Sequence, residues 1–477
     1  MTSEELLSER IDDAGEAVPE VHAADRLDDE NTLTKNFVRR VQAALYAGED
    51  ERVYNLVEPL HPADIADLFE LIDADERLAL SKAITDLMGG EVFAELNDHV
   101  RELLVESLPA GEVADIAEQL DTDDAVAMLE DLDEHDQQAV LAEMEPEDRA
   151  AIETALAFPE ESAGRLMSRE FVAVPEHMSV GDLIDFLRES EELANEFWEI
   201  FIVDARYHPV GTCALSWILR TPRHIALTDV MTREQSLIPV NMDQEEVALR
   251  FQKYALISAA VVDEYGRLVG QITVDDVVHI IQEEAGEDAL ALSGAGDGDI
   301  NEPIHLTIRT RLFWLFINLG TAILAAGVVG QFEAEISKFA VLAVLMGIIS
   351  GMGGNAGTQT LAVVVRALAT NQLTDSNTVR MILRELTIAL ANGAVLGIAT
   401  GLGVALLYHN PTLGWVMAAA MLINNINAGL SGIMIPLALD RFKIDPAVSS
   451  AVFVTMMTDV LGFFCFLGLA ALAGLAG

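Results

Sequence analysis

Apolar residues change their period three times along the chain, and each change marks a different kind of element. From Leu60 they recur every twelve positions, at Leu60, Ile72, Ile84, Leu96, Leu108, Leu120, Leu132 and Met144. Three consecutive units, LDTDDAVAMLED, LDEHDQQAVLAE and MEPEDRAAIETA, show the content of each. An apolar start leads into a turn-and-cap stretch rich in Asp, Glu or Pro, then apolar positions at helical spacing. Twelve residues suffice for one short helix and its turn, with the acids favourable at helix N-termini. No unit can bury its apolar face alone, so a stacked all-α helical repeat is expected.

A second pattern follows. LMSREFVAVPEHMSVGDLIDFL (166–187) aligns with VMTREQSLIPVNMDQEEVALRF (230–251), and FIVDARYHPVG (201–211) with AVVDEYGRLVG (260–270). Each copy predicts a short strand before a Pro, an amphipathic helix, then a β-branched strand with an Asp-to-Gly turn. From Leu312 the pattern becomes long apolar runs, each sufficient for a bilayer-spanning helix of roughly 20 residues. Five are predicted, at about 312–331, 339–369, 380–407, 412–439 and 446–473, the second interrupted by its glycines.

Charge separates the same regions. The net charge of −50 comes from 78 acidic and 28 basic residues. Seven acids and six bases lie from Leu312 onward, which leaves 71 and 22 upstream. An acidic soluble part is thus joined to an apolar part. That balance argues against nucleic acid, whose phosphates require Lys and Arg, and fits attraction of cations. Solvation of an acidic surface explains most individual acids equally well. Cys213 and Cys465 fall in different parts, so no structural disulfide is expected. MTSEELLSER lacks a basic n-region and an apolar h-region, so no cleavable signal is expected. No nucleophile–base or metal-hydrolase constellation is present, and an enzyme is not expected.

Loop charges orient the spans. QFEAEISK and YHNPTLG carry one base between them, whereas the second connection has Arg366, Arg380 and Arg384 and the fourth has Arg441 and Lys443. Basic loops stay cytoplasmic. The expectation is a multi-pass protein of the inner or plasma membrane, N-terminal domains in the cytoplasm and C-terminus outside. An odd number of spans conceals no inverted pair of equal halves; a homodimer would supply the symmetry of a shared pore.

Polar residues in lipid are costly and mark function by default. Asp459 lies near the middle of the last run, in FVTMMTDVLGF, with Thr455 and Thr458 on neighbouring faces. The alternatives are a carboxylate gluing two helices and an ion site, and the ion site is favoured. Hard oxygen ligands suit Mg²⁺ or Ca²⁺ over soft metals. GMGGNAGTQT (351–360) predicts a break whose carbonyls line a path at Gly354 and Asn355. LINNINAGLSGIMIP (422–436) places Asn424, Asn427 and Ser431 on one face, as pore lining or as interhelical glue. Glu385, beside Arg384, reads as an interface charge.

The duplicated strand–helix–strand copies resemble a tandem pair of CBS domains, which implies a regulatory α/β module. In such domains a Thr-x-x-Asp, here Thr273 and Asp276, can hold a ribose and phosphate, so ATP is implied at one site at most. The first copy, ALSWIL (214–219), has no acid there. The whole chain from about residue 35 resembles the MgtE family of magnesium channels. The resemblance rests on GMGGNAGTQT with RALAT (366–370), IDPAV (444–448) with TDVLG (458–462), and DQEEV (243–247) with GRLVGQITVDDVV (266–278).

Ahead of it, residues 1–34 are polar and acidic without a sustained apolar period and read as a flexible tail. The resemblance implies a helical N domain (35–160), tandem CBS domains (161–285), a connecting, plug-like helix (286–311) and a five-span channel domain (312–477). It also implies a homodimer with one central pore, in which Asp459 binds Mg²⁺, and closure by cytosolic Mg²⁺ held between acidic interfaces. The sensing acids it implies are Asp243, Glu245, Asp276, Glu284, Glu287 and Asp445; N-domain acids cannot be matched individually. Two positions depart from the family pattern, Ala255 and His279, where acids are frequent; His279 would make gating more sensitive to pH. Rival readings are a channel for Co²⁺ or Mn²⁺, a nucleotide-gated solute transporter, and a membrane-anchored Mg²⁺ sensor.

Overall fold

The computed structural model describes residues 26–475, apart from 29–30, 131, 191–192, 194–196, 234, 293, 295–299, 375 and 449. Most of the N-terminal tail therefore lies outside the described residues. Two compact units divide between Val277 and Val278.

In the first unit, ten short helices run from α1 (Lys35–Ala47) through α2 (Asp50–Val57), α3 (Pro62–Leu71), α4 (Ala74–Ala83), α5 (Gly90–Glu95), α6 (Asp98–Glu106), α7 (Ala110–Ala117), α8 (Thr122–Glu130) and α9 (Glu134–Glu143) to α10 (Pro146–Leu156). The turn chemistry explains their starts. Asp73 and Glu76 form a reciprocal capping box on α4, Asn97 caps α6 and Asp133 caps α9. The twelve-residue apolar position recurs where one helix ends and the next turn begins. Ile72, Ile84, Leu96 and Met144 are C-cap residues buried in one continuous core. The repeat thus ties every turn to the neighbouring helices.

The duplicated segments fold alike. The first gives β1 (Ala173–Pro175), α11 (Val180–Glu189), β2 (Glu199–Val203) and β3 (Pro209–Ala214), followed by short α12 (Leu215–Ile218) and α13 (Leu227–Val230). The second gives β4 (Ile238–Pro239), α14 (Gln244–Tyr254), β5 (Ser258–Val262) and β6 (Leu268–Thr273). In each sheet the first pair is parallel and the second antiparallel, with a register shift at the matching position, Ile202/Val203 and Val261/Val262. β1 and β4 both end in the predicted proline.

Glu170 fastens α8 to this pair. Its carboxylate accepts hydrogen bonds from the Thr122 hydroxyl (2.8 Å), the Thr122 backbone N–H (3.2 Å) and Ser168 (2.8 Å). An anion thereby covers the N-terminus of α8 from a distant part of the chain. Glu170→Ala should cost about 1–2 kcal/mol. Hydrogen exchange should show that loss as faster exchange at the start of α8, with α1–α4 unchanged.

α15 (Val274–Ala291) begins directly after β6. In the second unit follow α16 (Ile304–Gly330), short α17 (Glu333–Lys338), α18 (Val341–Ala369), α19 (Thr378–Leu407), α20 (Pro411–Arg441) and α21 (Ser450–Leu472). Five of these are long and apolar enough to cross a membrane. α20 packs on α18, α19 and α21, and α16 packs on α21. Only 11–39% of each apolar window is buried, so their outer faces need lipid rather than water.

Two expectations are corrected. α16 starts at Ile304, eight residues before the predicted span, because the helix continues through the polar turns that precede the apolar run. α18 is one unbroken helix rather than two halves, so its carbonyls at 351–360 are not freed by a break. Gly353 and Gly357 serve packing instead.

Candidate functional site

A carboxylate in the membrane-spanning part needs partners, and Asp459 has one across the helix interface. Ser350 of α18 donates to Asp459 Oδ1 at 2.6 Å. Oδ2 accepts no hydrogen bond among the described residues, and the side chain remains partly accessible. The carboxylate is therefore oriented by one hydroxyl while one oxygen stays available. Ser350 was missed in the sequence; its only signal is a hydroxyl immediately before the glycine stretch.

α20 fixes the surroundings through its amides. Asn424 donates to the Ile349 carbonyl of α18 at 3.0 Å, and Asn427 to the Met457 carbonyl of α21 at 3.0 Å. Ser431 donates to Asn427 Oδ1 at 3.4 Å. Of the two roles open to these asparagines, the structure supports the structural one for their nitrogens: they hold the residues that flank Ser350 and Asp459. Asn424 Oδ1 is buried and has no hydrogen-bond partner among the described residues. Thr455 is half-buried one turn before Asp459, and its carbonyl accepts from Thr458 at 2.9 Å. Gly354 follows Ser350 by one turn on the same face of α18, with nothing within 4 Å of a β-carbon placed there, and Asn355 is exposed.

Glycines permit this approach. A β-carbon on Gly353 would overlap the Asn424 amide, and one on Gly357 would overlap Val454. Gly462 faces Asn424 in the same way, with a β-carbon 2.8 Å from its nitrogen. Gly357→Ala should separate α18 from α21 and cost about 1–3 kcal/mol, read as a lower Tm in detergent. The same substitution at Gly354, where nothing is within 4 Å, should leave Tm unchanged.

Glu385 is a correction. Rather than an interface charge, it is 95% buried, receiving one long contact from Thr360 Oγ1 at 3.5 Å. The side chains of Arg384 and Glu385 leave the helix in different directions, one exposed and one inward.

A second cluster lies in the first unit. Thr273 Oγ1 donates to Asp276 Oδ2 at 2.6 Å, so the two suspected nucleotide residues cap the start of α15 together. Asp276 also faces α8. Burial, with the charges of Asp276 and Asp121, raises Asp124 to about 6. Burial, then the charges of Asp276 and Asp124, pushes Asp123 well above the usual carboxylate range. Among the described residues, Asp123 Oδ1 has no hydrogen-bond partner. Sequence reading did not single out Asp123 or Asp124; the Asp-Asp pair in LDTDDAV was its only sign.

The remaining sensing acids are dispersed. Asp243 caps α14 by accepting from the Glu245 N–H at 3.0 Å. Glu284 and Glu287 lie on α15, and Asp445 accepts from the Ala447 N–H at 2.8 Å in the turn before α21. Among the described residues no three His, Cys, Asp or Glu side chains converge closely enough to hold a metal. Ala255 ends α14 in the left-handed region, at φ 50°, and His279 is exposed on α15.

Comparison with known proteins follows the same partition. A family profile described as a divalent cation transporter matches residues 346–469. One described as the MgtE intracellular N domain matches 60–161, and a CBS domain profile matches 227–283, the second copy. The chain is 32% identical over 432 residues to the magnesium transporter MgtE of Enterococcus faecalis, covering 90% of each. It is 27% identical over 442 residues to the magnesium transporter MgtE of Bacillus subtilis, covering 92% of this chain and 98% of that one. A crystal structure of the cytosolic domain of the Mg²⁺ channel MgtE in complex with ATP aligns with 51% of this chain and 99% of its own, at 28% identity and a TM-score of 0.47.

Proposed function

The chain belongs to the MgtE family of magnesium transporters, and from that premise we propose that it is a Mg²⁺-selective channel, gated shut by cytosolic Mg²⁺. The observation that carries the reading is Asp459: a partly accessible carboxylate in a membrane-spanning helix, with Ser350 on one oxygen and the other open. A homodimer would bring two such groups to one axis. Mg²⁺ dehydrates reluctantly and is held through one or two carboxylates while keeping water. Carboxylate and hydroxyl donors are hard, which favours Mg²⁺ over softer divalent ions, although Mn²⁺ and Co²⁺ remain the competitors to test.

The gate would use the first unit's charges. Asp123 and Asp124 on α8 feel the charge of Asp276 at the start of α15. The three do not converge closely enough to ligate one ion, but a hydrated divalent cation beside them would offset their repulsion. At its other end α15 reaches the spans: Ala291 and Leu292 pack on Leu361, Val365, Ala447 and Val454. α15 is thus the proposed lever between the sensing residues (35–160 and 161–285) and the pore residues (312–477). In this reading both cytosolic parts and the arginine-bearing connections lie in the cytoplasm, and the C-terminus lies outside. ATP binding at Thr273 and Asp276 would require their mutual hydrogen bond to open.

Mg²⁺ flux into proteoliposomes tests the proposal. Influx should exceed that of protein-free vesicles and fall as Mg²⁺ rises on the side carrying the acidic domains. Flux of Mn²⁺ or Co²⁺ with no Mg²⁺ flux would overturn it.

A further inference from the structure

We infer that the connection between α18 and α19 holds the phosphate of an anionic phospholipid. A cavity of about 560 Å³ opens there, lined by Arg366, Arg380 and Arg384, with Val363, Leu373 and Met381 as its apolar wall. The three guanidiniums are exposed, and among the described residues none makes an ion pair or hydrogen bond. Asp375, in the same connection, lies outside the described residues.

The helix ends sharpen the imbalance. Arg366 lies in the last turn of α18, where carbonyls favour a cation. Arg380 lies in the first turn of α19 and Arg384 one turn further; there the dipole is positive, no acid occupies the first turn and no side chain caps the helix. The Asn377 side chain is occupied elsewhere, accepting from the Thr374 N–H and donating to the Gln372 carbonyl. The neighbouring carboxylate, Glu385, is buried and does not line this cavity; it faces an adjoining one with Thr360 and Asn425, which Arg384 also borders. Among the described residues, no carboxylate lines the cavity with these three cations.

Chemistry and position select the occupant. Guanidinium forks match phosphate oxygens in bidentate fashion. The cavity lies at the joined ends of two helices long and apolar enough to cross a membrane, and basic recesses between such helices take anionic headgroups. Its apolar wall suits the glycerol and first methylenes of a lipid, which free phosphate does not possess.

The test is native mass spectrometry of the full-length protein released from phosphatidylglycerol-containing nanodiscs. The wild type should retain phosphatidylglycerol, and R380Q/R384Q should retain it roughly tenfold less or lower still, from the contribution of each arginine near a charged surface. R441Q/K443Q removes the same charge from another connection and should retain it as the wild type does. Equal loss in that control would reduce the effect to bulk charge and overturn the site. Retention by R380Q/R384Q equal to the wild type would also overturn it. Displacement of the lipid by millimolar inorganic phosphate would make free phosphate the occupant and overturn the lipid assignment. Unchanged Tm of R380Q/R384Q in phosphatidylcholine would exclude misfolding; should it fall, R380K/R384K, which keeps the charge and removes the forks, carries the comparison.

Discussion

Asp459→Asn and Asp459→Ala should each lower Mg²⁺ flux in proteoliposomes by about a hundredfold or more, with the protein still folded. The magnitude follows from what is removed. An ion leaving water for a membrane-spanning path loses hydration worth several kcal/mol, and a facing carboxylate is the local group that replaces it. Asn keeps the size and can still accept from Ser350, so its failure would isolate the charge. Ser350→Ala separates orientation from charge: it leaves the carboxylate but removes the 2.6 Å hydrogen bond. Its flux should fall by roughly three- to tenfold, in keeping with loss of one charge-assisted hydrogen bond of about 1 kcal/mol or more. Undiminished flux in Asp459→Ala would make the residue structural, and the path would have to be sought elsewhere in the membrane part.

The contrast between Asp459 and Ser350 shows what was legible in the chain. A carboxylate in an apolar run is conspicuous because its insertion is costly. A serine there is ordinary, and only the register of α18 against α21 makes it a partner. The same distinction holds throughout. The twelve-residue recurrence and the two aligned copies were readable because local periodicity fixes each helix and strand, and the structure contains them. The break at GMGGNAGTQT was misread because glycine weakens helices in water; between packed membrane helices it allows backbones to approach, as Gly353 and Gly357 do. Glu385 was misread because its neighbour Arg384 is exposed, and burial of a single position depends on helix rotation rather than on sequence proximity. Asp123 and Asp124 were invisible for a related reason. Dozens of acids surround them in the sequence, and only folding places these two opposite Asp276.

That placement leads to a second large effect, on the response of the first unit to Mg²⁺ and pH. In chelator-containing buffer the α8 contact should loosen as pH rises through about 6, the value to which Asp124 is raised. The sign follows from linkage. An acid whose folded pKa exceeds its unfolded value near 3.9 binds more protons folded than unfolded between the two, so stability falls as pH rises there. Above about 6 the penalty is fully present; below about 4 it is absent. Asp123, shifted the same way, extends the window upward. Hydrogen exchange of Thr122–Glu130 in the whole protein, corrected for intrinsic rates, should therefore show protection several-fold lower at about pH 7.5 than at about pH 5. Millimolar Mg²⁺ should restore it at the higher pH, because a divalent cation neutralises what protons no longer do. D123N/D124N should remove both dependences: protection stays high without Mg²⁺ and gains little from it. In flux measurements the same variant should lose much of its response to Mg²⁺ on the cytoplasmic side while Asp459 is untouched. If wild-type α8 is equally protected with and without Mg²⁺ at pH 7.5, the carboxylates opposite Asp276 are not the sensor, and the gating acids are to be sought among Asp243, Glu245, Glu284, Glu287 and Asp445.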